Sequence, residues 1–307
     1  MESIIPSLAD ILAEITKSEK PLYSRLAELS NLSSEELELF KNSWPTIELE
    51  RRRQVIQRLV DLADDNVELN FDSIFKYCFK DEDAEIRGTA IKGLWENEEP
   101  SLISPLLIML EQDTSEEVQA TAASALGKFA MLAEHNKLRP CHTTKIETAL
   151  LNVFNNKAKP IEVRRRALEA MAPLSLPEVK AAIEEAYQSE QPRLQISAIY
   201  AMGKSCDPSW LNILFRELSN PDSEVRYEAA HACGELEEEA ALPLLIPMAI
   251  DPELDVQLAA IQALGKIGGT EAKKCLQRLL KSRSEAASHA AEQALQELET
   301  KESLLFQ

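Results

Sequence analysis

Apolar positions along the chain recur with a long period as well as a helical one. Aligning Asp81-Glu-Asp-Ala-Glu-Ile-Arg, Asp113-Thr-Ser-Glu-Glu-Val-Gln, Asn220-Pro-Asp-Ser-Glu-Val-Arg and Asp251-Pro-Glu-Leu-Asp-Val-Gln gives one apolar anchor per unit. The anchors are Ile86, Val118, Val163, Leu194, Val225, Val256 and Ala287, spaced by 32, 45, 31, 31, 31 and 31 residues. Four residues past every anchor stands alanine: Ala90, Ala122, Ala167, Ala198, Ala229, Ala260 and Ala291. Eight past it the residue is usually apolar, as at Leu94, Leu126, Met171, Met202, Cys233, Leu264 and Leu295. Offsets zero, four and eight share one helical face, and a small alanine lets a neighbouring helix come close. Nine past the anchor, four units carry glycine (Gly127, Gly203, Gly234, Gly265), half of the 8 glycines in the chain. Glycine there suits the end of the helix. The Asp or Asn ahead of the anchor is expected to cap the helix, and Pro221 and Pro252 sit where a first turn tolerates proline. Upstream of the anchors lie further apolar-periodic segments, such as Trp210–Leu218 and Ala272–Leu280. Each unit is thus a helix–turn–helix pair that cannot bury its core alone. Stacking such pairs predicts an all-α, right-handed α-solenoid of antiparallel helix pairs.

The motif Asp-Pro-x-x-x-Val-[Arg/Gln]-x-x-Ala-[Ala/Ile]-x-Ala-Leu-Gly, over roughly residues 70–300, resembles HEAT repeats. The short period is similar to that of the bacterial subtype found in phycobilin-lyase-like proteins. The resemblance implies the fold and leaves the function open, because scaffolds, lyase subunits and a di-iron hydroxylase share it.

Residues 1–69 lack the motif and are expected to form a divergent helical N-terminal cap, which solenoids need. Helices are expected over Ser3–Ser18, Pro21–Leu29 and Glu48–Asp64. Ser33-Ser34-Glu35-Glu36 has the form of a capping box opening a helix to about Trp44. The one long spacing adds an insertion near 131–145, read either as a loop between helices or as a longer helix followed by a plain loop. Residues 301–307 are read as a C-terminal tail.

Composition narrows the classes. With 33 Lys+Arg against 52 Asp+Glu the formal charge is −19, which disfavours phosphate backbones and anionic membranes as general partners. The longest apolar stretch, Ala240–Ile250, is too short to span a bilayer and holds Pro243 and Pro247. No signal peptide is visible, and the 5 cysteines are scattered without a CxxC pair, so reduced thiols in a cytoplasm are expected. Charge is uneven: Lys137–Arg166 is basic, and Arg216–Asp255 is strongly acidic.

Motifs for phosphate binding, nucleophilic hydrolysis and zinc are absent. A resemblance to deoxyhypusine hydroxylase would require His-Glu pairs in several repeats to ligate two irons. None of His135, His142, His231 and His289 precedes a glutamate, and after Val225-Arg226 the chain reads Tyr227-Glu228. His135 and Cys141-His142 have no fixed ligand geometry and are read as surface residues. No catalytic residue, metal or cofactor is expected.

At about 100° per residue, offsets two, three, six and ten lie opposite the buried face of the second helix. In HEAT-like stacks that face lines a concave surface. Arg165, Arg166, Ile196, Tyr200, Tyr227, His231 and Leu258 fall there, an aromatic and aliphatic ribbon with a basic end. Such a ribbon is either a protein-binding hot spot or a set of side chains buried against one another. The sequence alone therefore suggests a non-enzymatic scaffold that binds a protein or peptide partner. The alternative is a phycobilin-lyase-like subunit assisting tetrapyrrole attachment.

Overall fold

The computed structural model describes residues 8–17 and 23–305. Among them all regular structure is helical. The α-helices are α1 (Leu8–Lys17), α2 (Ser34–Ser43), α3 (Leu49–Asp65), α4 (Asp72–Cys78), α5 (Ala84–Lys92) and α6 (Ile103–Gln112). They continue as α7 (Glu116–Glu134), α8 (Pro140–Asn155), α9 (Ile161–Met171), α10 (Pro177–Tyr187), α11 (Pro192–Lys204) and α12 (Leu211–Glu217). The last are α13 (Ser223–Leu236), α14 (Leu242–Met248), α15 (Leu254–Ile267), α16 (Gly269–Leu279) and α17 (Glu285–Leu305). The fold class is an all-α solenoid.

The capping box forms as its sequence implies: the Ser33 hydroxyl accepts from the Glu36 N–H, and the Glu36 carboxylate accepts from the Ser33 N–H at 2.9 Å. The helix expected over Ser3–Ser18 is seen as α1, and Tyr23–Leu29 is a 3-10 helix rather than α; residues 3–7, 18, 21 and 22 lie outside the described residues. Residues 131–134 complete the long α7 and 140–145 open α8, with a turn at Asn136 in the left-handed region. At the other end α17 runs on through Leu305, and Phe306 and Gln307 are not described.

The contacts gather into two compact units, Met1–Phe129 with Leu138–Ala149, and Ala130–Lys137 with Leu150–Gln307. In the first, α3 and α4 pack on α5, around Phe40, Trp44, Ile56, Leu59 and Phe75. Asp81 is the polar centre of this unit, with its side chain 2% exposed. It accepts from Arg52 Nη1 at 2.8 and 3.0 Å, from Trp44 Nε1 at 2.7 Å and from the Asp83 N–H at 3.0 Å.

In the second unit α9, α11, α13, α15 and α17 pack each on the next, and α10, α12, α14 and α16 lie against them. The alanines at offset four are all fully buried, from Ala90 to Ala291. Glycine at offset nine differs from expectation. Gly203, Gly234 and Gly265 lie inside their helices, not past the ends. A Cβ at Gly203 would stand 2.6 Å from the Cα of Ala232, and one at Gly265 would stand 2.7 Å from the Cβ of Ala294. Each glycine meets the offset-seven alanine of the next repeat, so the residue is required by backbone approach between helices.

The leading Asp also has another role than capping. Asp113 and Asp251 each accept from the N–H two residues on, at Ser115 and Glu253, which folds the turn. Each also accepts two hydrogen bonds from the arginine one past the preceding anchor, Arg87 at 2.7 and 2.8 Å and Arg226 at 3.0 and 3.1 Å. In α5 and α13 the caps are Asp83 and Asp222, two residues past the leading Asp81 and Asn220. Where that position is glutamine, the side chain reaches its own turn, as Gln195 does to the Ser189 carbonyl at 2.7 Å.

Candidate functional site

The repeat register decides which side chains meet across neighbouring second helices. Offset six of one helix faces offset three of the next: Glu169 on α9 accepts from the Ser197 hydroxyl of α11 at 2.6 Å. Ser197 accepts in turn from Arg165 Nε at 3.0 Å. Arg165 and Arg166 also hold Glu162, and Arg166 donates to Glu169 at 2.9 Å. The basic end of the expected ribbon is therefore internally neutralised. Its guanidiniums hold their own helix and the next rather than waiting for an acidic partner.

Farther along, the ribbon residues differ in exposure. Ile196 is buried at 7%, Tyr227 is exposed at 36%, and Tyr200, His231 and Leu258 are half-buried. The Tyr227 and His231 rings lie nearly parallel, with centroids 6.5 Å apart. Burial pushes the His231 imidazole pKa down, and Lys266 and Lys204 add to this against the pull of Glu235. Burial raises the Tyr200 phenol, helped by Glu169 and Glu228.

Glu228 stands apart from the other acids. It has no hydrogen-bond partner among the described residues. Burial, then the charges of Glu169 and Glu224, push its carboxyl up to about 7 against the opposing pull of Arg165. Beside Tyr227 opens a cleft of about 430 Å³ lined by Ser223, Glu224, Tyr227, Glu253, Asp255 and Val256.

A clasp at offset ten was not read from the sequence, although the run Lys204, Glu235, Lys266 on alternate helices is its signal. Glu235 accepts from Lys204 at 2.9 Å and from Lys266 as well. Burial alone would raise this carboxyl, but the two lysines outweigh it and hold it at about 2. A folded-state value below the unfolded one of about 4.3 stabilises the fold above that pH, and the gain fades as pH falls towards 2. Glu235→Gln is therefore expected to lower Tm at pH 7 and to match the wild type near pH 2. Thermal melts across that range check it, and identical melts at pH 7 would show that the clasp contributes nothing.

Could this face hold two irons? The pairs at offsets two and three read Gly88-Thr89, Ala120-Thr121, Arg165-Arg166, Ile196-Ser197, Tyr227-Glu228, Leu258-Ala259 and His289-Ala290. None is His-Glu. Among the described residues no group of three or more His, Cys, Asp or Glu is placed to hold a metal ion. These residues do not fit a two-iron centre. Among the described residues no helix is long and apolar enough to cross a membrane.

Comparison with known proteins corrects the functional expectation. The chain is similar to deoxyhypusine hydroxylase of Drosophila melanogaster, 31% identical over 121 residues, 39% of this chain and 40% of the relative. It is similar to deoxyhypusine hydroxylase of Candida albicans, 28% identical over 124 residues, 40% of this chain and 39% of the relative. The chain thus matches about 40% of the length of these curated relatives. They are enzymes by name, which overturns both the non-enzymatic scaffold and the reading against catalysis. The absence of familiar motifs had carried that reading, and a site assembled from separate repeats leaves no compact motif to find.

In structure the chain is similar to the complex of CpcE and CpcF of phycocyanin lyase from Nostoc sp. PCC7120, with a TM-score of 0.54 at 13% identity, covering 97% of each chain. That likeness shows the fold. The HEAT-repeat family matches residues 71–143 and 211–296, just over half of the chain. With anchors, alanines and stacked helix pairs in the same register, the chain belongs to the HEAT-repeat family.

Proposed function

We propose that the protein is an enzyme acting on a cationic, amine-bearing side chain of a protein or peptide, with the α9–α15 ribbon as its substrate face. The observation that carries this reading is Glu228. It stands where the hydroxylase pair would place its glutamate, it lacks a hydrogen-bond partner among the described residues, and its carboxyl sits at about 7. An ammonium brought to it would supply the missing donor in a charge-assisted bond. Ionised, Glu228 accepts the amine's proton; neutral, it donates one, and a carboxyl poised near the working pH suits both tasks. Tyr227 offers an exposed ring to a cation, and Glu224, Glu253 and Asp255 give the adjoining cleft an acidic rim. Deoxyhypusine, for which the relatives are named, bears amines that are cationic at neutral pH, so the same substrate class fits. The iron of a hydroxylase is not part of the reading. Tyr200, Tyr227, His231 and Leu258 line the face, Ile196 underlies it, and Arg165 and Arg166, paired with Glu162 and Glu169, form its α9 end. In this reading the enzyme works in a cytoplasm.

The test uses two peptides, one bearing deoxyhypusine and one bearing lysine, with the full chain supplied with the dialysable small molecules of a cell extract. Binding is expected to favour the deoxyhypusine peptide, and its mass is expected to change on incubation. Glu228→Gln is expected to slow that conversion roughly 100-fold or more. Equal affinity for both peptides, with no change of mass, would overturn the proposal.

A further inference from the structure

The first unit carries a cleft of its own, of about 350 Å³, with no ribbon residue in its lining. Trp44 comes from the turn after α2, Arg52 from α3 and Tyr77 from α4, while Lys80, Asp81 and Glu82 come from the turn ahead of α5. Such a volume lies at the small end of ligand cavities, which run from about 300 to 1,000 Å³. Trp44 Nε1 donates to Asp81 at 2.7 Å and the Tyr77 hydroxyl donates to the Lys41 carbonyl at 3.2 Å, so both aromatic side chains have committed their donors. The cations of the cleft have not. Arg52 meets both oxygens of Asp81 through Nη1 alone, and its Nε is buried without a partner. Lys80 is exposed and forms no ion pair among the described residues. A buried donor left unmet is costly, and most in folded proteins are met.

Other arginines of the chain show what the vacant edge accepts. Arg53 holds Asp83 through Nε and Nη2 at 3.1 and 2.6 Å, Arg87 holds Asp113 at 2.8 and 2.7 Å, and Arg226 holds Asp251 at 3.1 and 3.0 Å. In each case the Nε–Nη2 fork carries a planar carboxylate. In Arg52 that fork is empty. We propose that the cleft binds an organic carboxylate, received on the Nε–Nη2 edge of Arg52 with Lys80 as the second cation and with the Trp44 and Tyr77 rings walling its apolar body. Charge favours a monoanion over a phosphate. Asp81 already answers Arg52, and Glu82 stands against Lys80, so a dianion would meet two carboxylates without an excess of positive charge. The proposal does not rest on the substrate-face reading, because no residue of that face takes part.

Nitrogen-15 NMR of the indole N–H groups in the full chain reads the site. The chain has 3 tryptophans, and the Trp44 signal, assigned by Trp44→Phe, is expected to move on titration with benzoate while those of Trp95 and Trp210 stay in place. Benzoate is expected to bind roughly 10-fold or more tightly than its uncharged counterpart benzamide, and more tightly than inorganic phosphate. Arg52→Lys keeps the charge and loses the fork, and should weaken benzoate roughly 10-fold. Arg52 also pairs with buried Asp81, so Lys80→Gln, a change at an exposed position, is the second variant, with a loss of roughly 3-fold expected. N-acetylphenylalanine distinguishes the sources of such a carboxylate. Tighter binding than benzoate assigns the cleft to a chain end, and weaker binding assigns it to a free acid; both uphold the site. Benzamide equal to benzoate, phosphate tighter than benzoate, or a Trp44 signal unmoved at about 10 mM benzoate would each overturn the proposal. So would a benzoate affinity unchanged in Lys80→Gln and in any folded Arg52→Lys.

Discussion

Asp81→Ala is expected to destabilise the first unit by about 3–5 kcal/mol, the usual cost of removing one member of a buried ion pair. The carboxylate it deletes accepts from both Arg52 and Trp44, with its own side chain 2% exposed. Removing it leaves a largely buried guanidinium and an indole N–H without their acceptor, so the loss exceeds that of an ordinary hydrogen bond. Asp81→Asn keeps an acceptor for the indole and should lose less. Denaturant unfolding of the full chain checks this, with an earlier transition expected in Asp81→Ala. A loss below about 1 kcal/mol would show that the pair behaves like an exposed one.

Gly203→Ala should cost about 1–3 kcal/mol through overpacking alone. The new methyl would stand 2.6 Å from the Cα of Ala232, and backbone cannot rotate aside as a side chain can. Gly203→Val should cost more. Gly88→Ala is the control, because nothing lies within 4 Å of a Cβ built there. In the middle of α5 that change should leave stability unaltered or raise it by up to about 1 kcal/mol, alanine being the better helix former. If both alanine variants melted together, the glycines would be present for a reason other than helix approach.

These two results mark the boundary of what the sequence discloses. The anchors and offset-four alanines disclose the stacked helices because burial repeats with the chain's own period. The capping box at Ser33 and the core position of Cys233 are legible for the same reason, since each depends on neighbours within one helix or one repeat. The role of Gly203 is not, because its reason is Ala232, which belongs to the next unit. Likewise Asp113 reads as a cap until Arg87, 26 residues earlier, is seen to hold it. At the candidate site, the sequence marks Tyr227-Glu228 as a departure from the hydroxylase pair and places Arg165 and Arg166 on the right helix. It does not show that Glu162 and Glu169 neutralise these arginines. Nor does it show that Glu162, Glu169 and Glu235 receive donors while Glu228 receives none among the described residues, for that follows from partners on several helices.

The −19 charge disfavours nucleic acid and suits a cationic substrate equally well, so composition reads differently once the partner chemistry changes. The departure of this face from His-Glu pairs moves attention from a metal to a carboxyl.

The most direct test of that claim is proton-linked calorimetry. A deoxyhypusine-bearing peptide is titrated into the full chain at pH 6 and at pH 8.5, each in two buffers of different ionisation enthalpy. If the amine binds against ionised Glu228, binding at pH 6 releases close to one proton, and this release vanishes at pH 8.5 and in Glu228→Gln. Binding without proton release at pH 6, or release unchanged in Glu228→Gln, would contradict Glu228 as the group that meets the substrate.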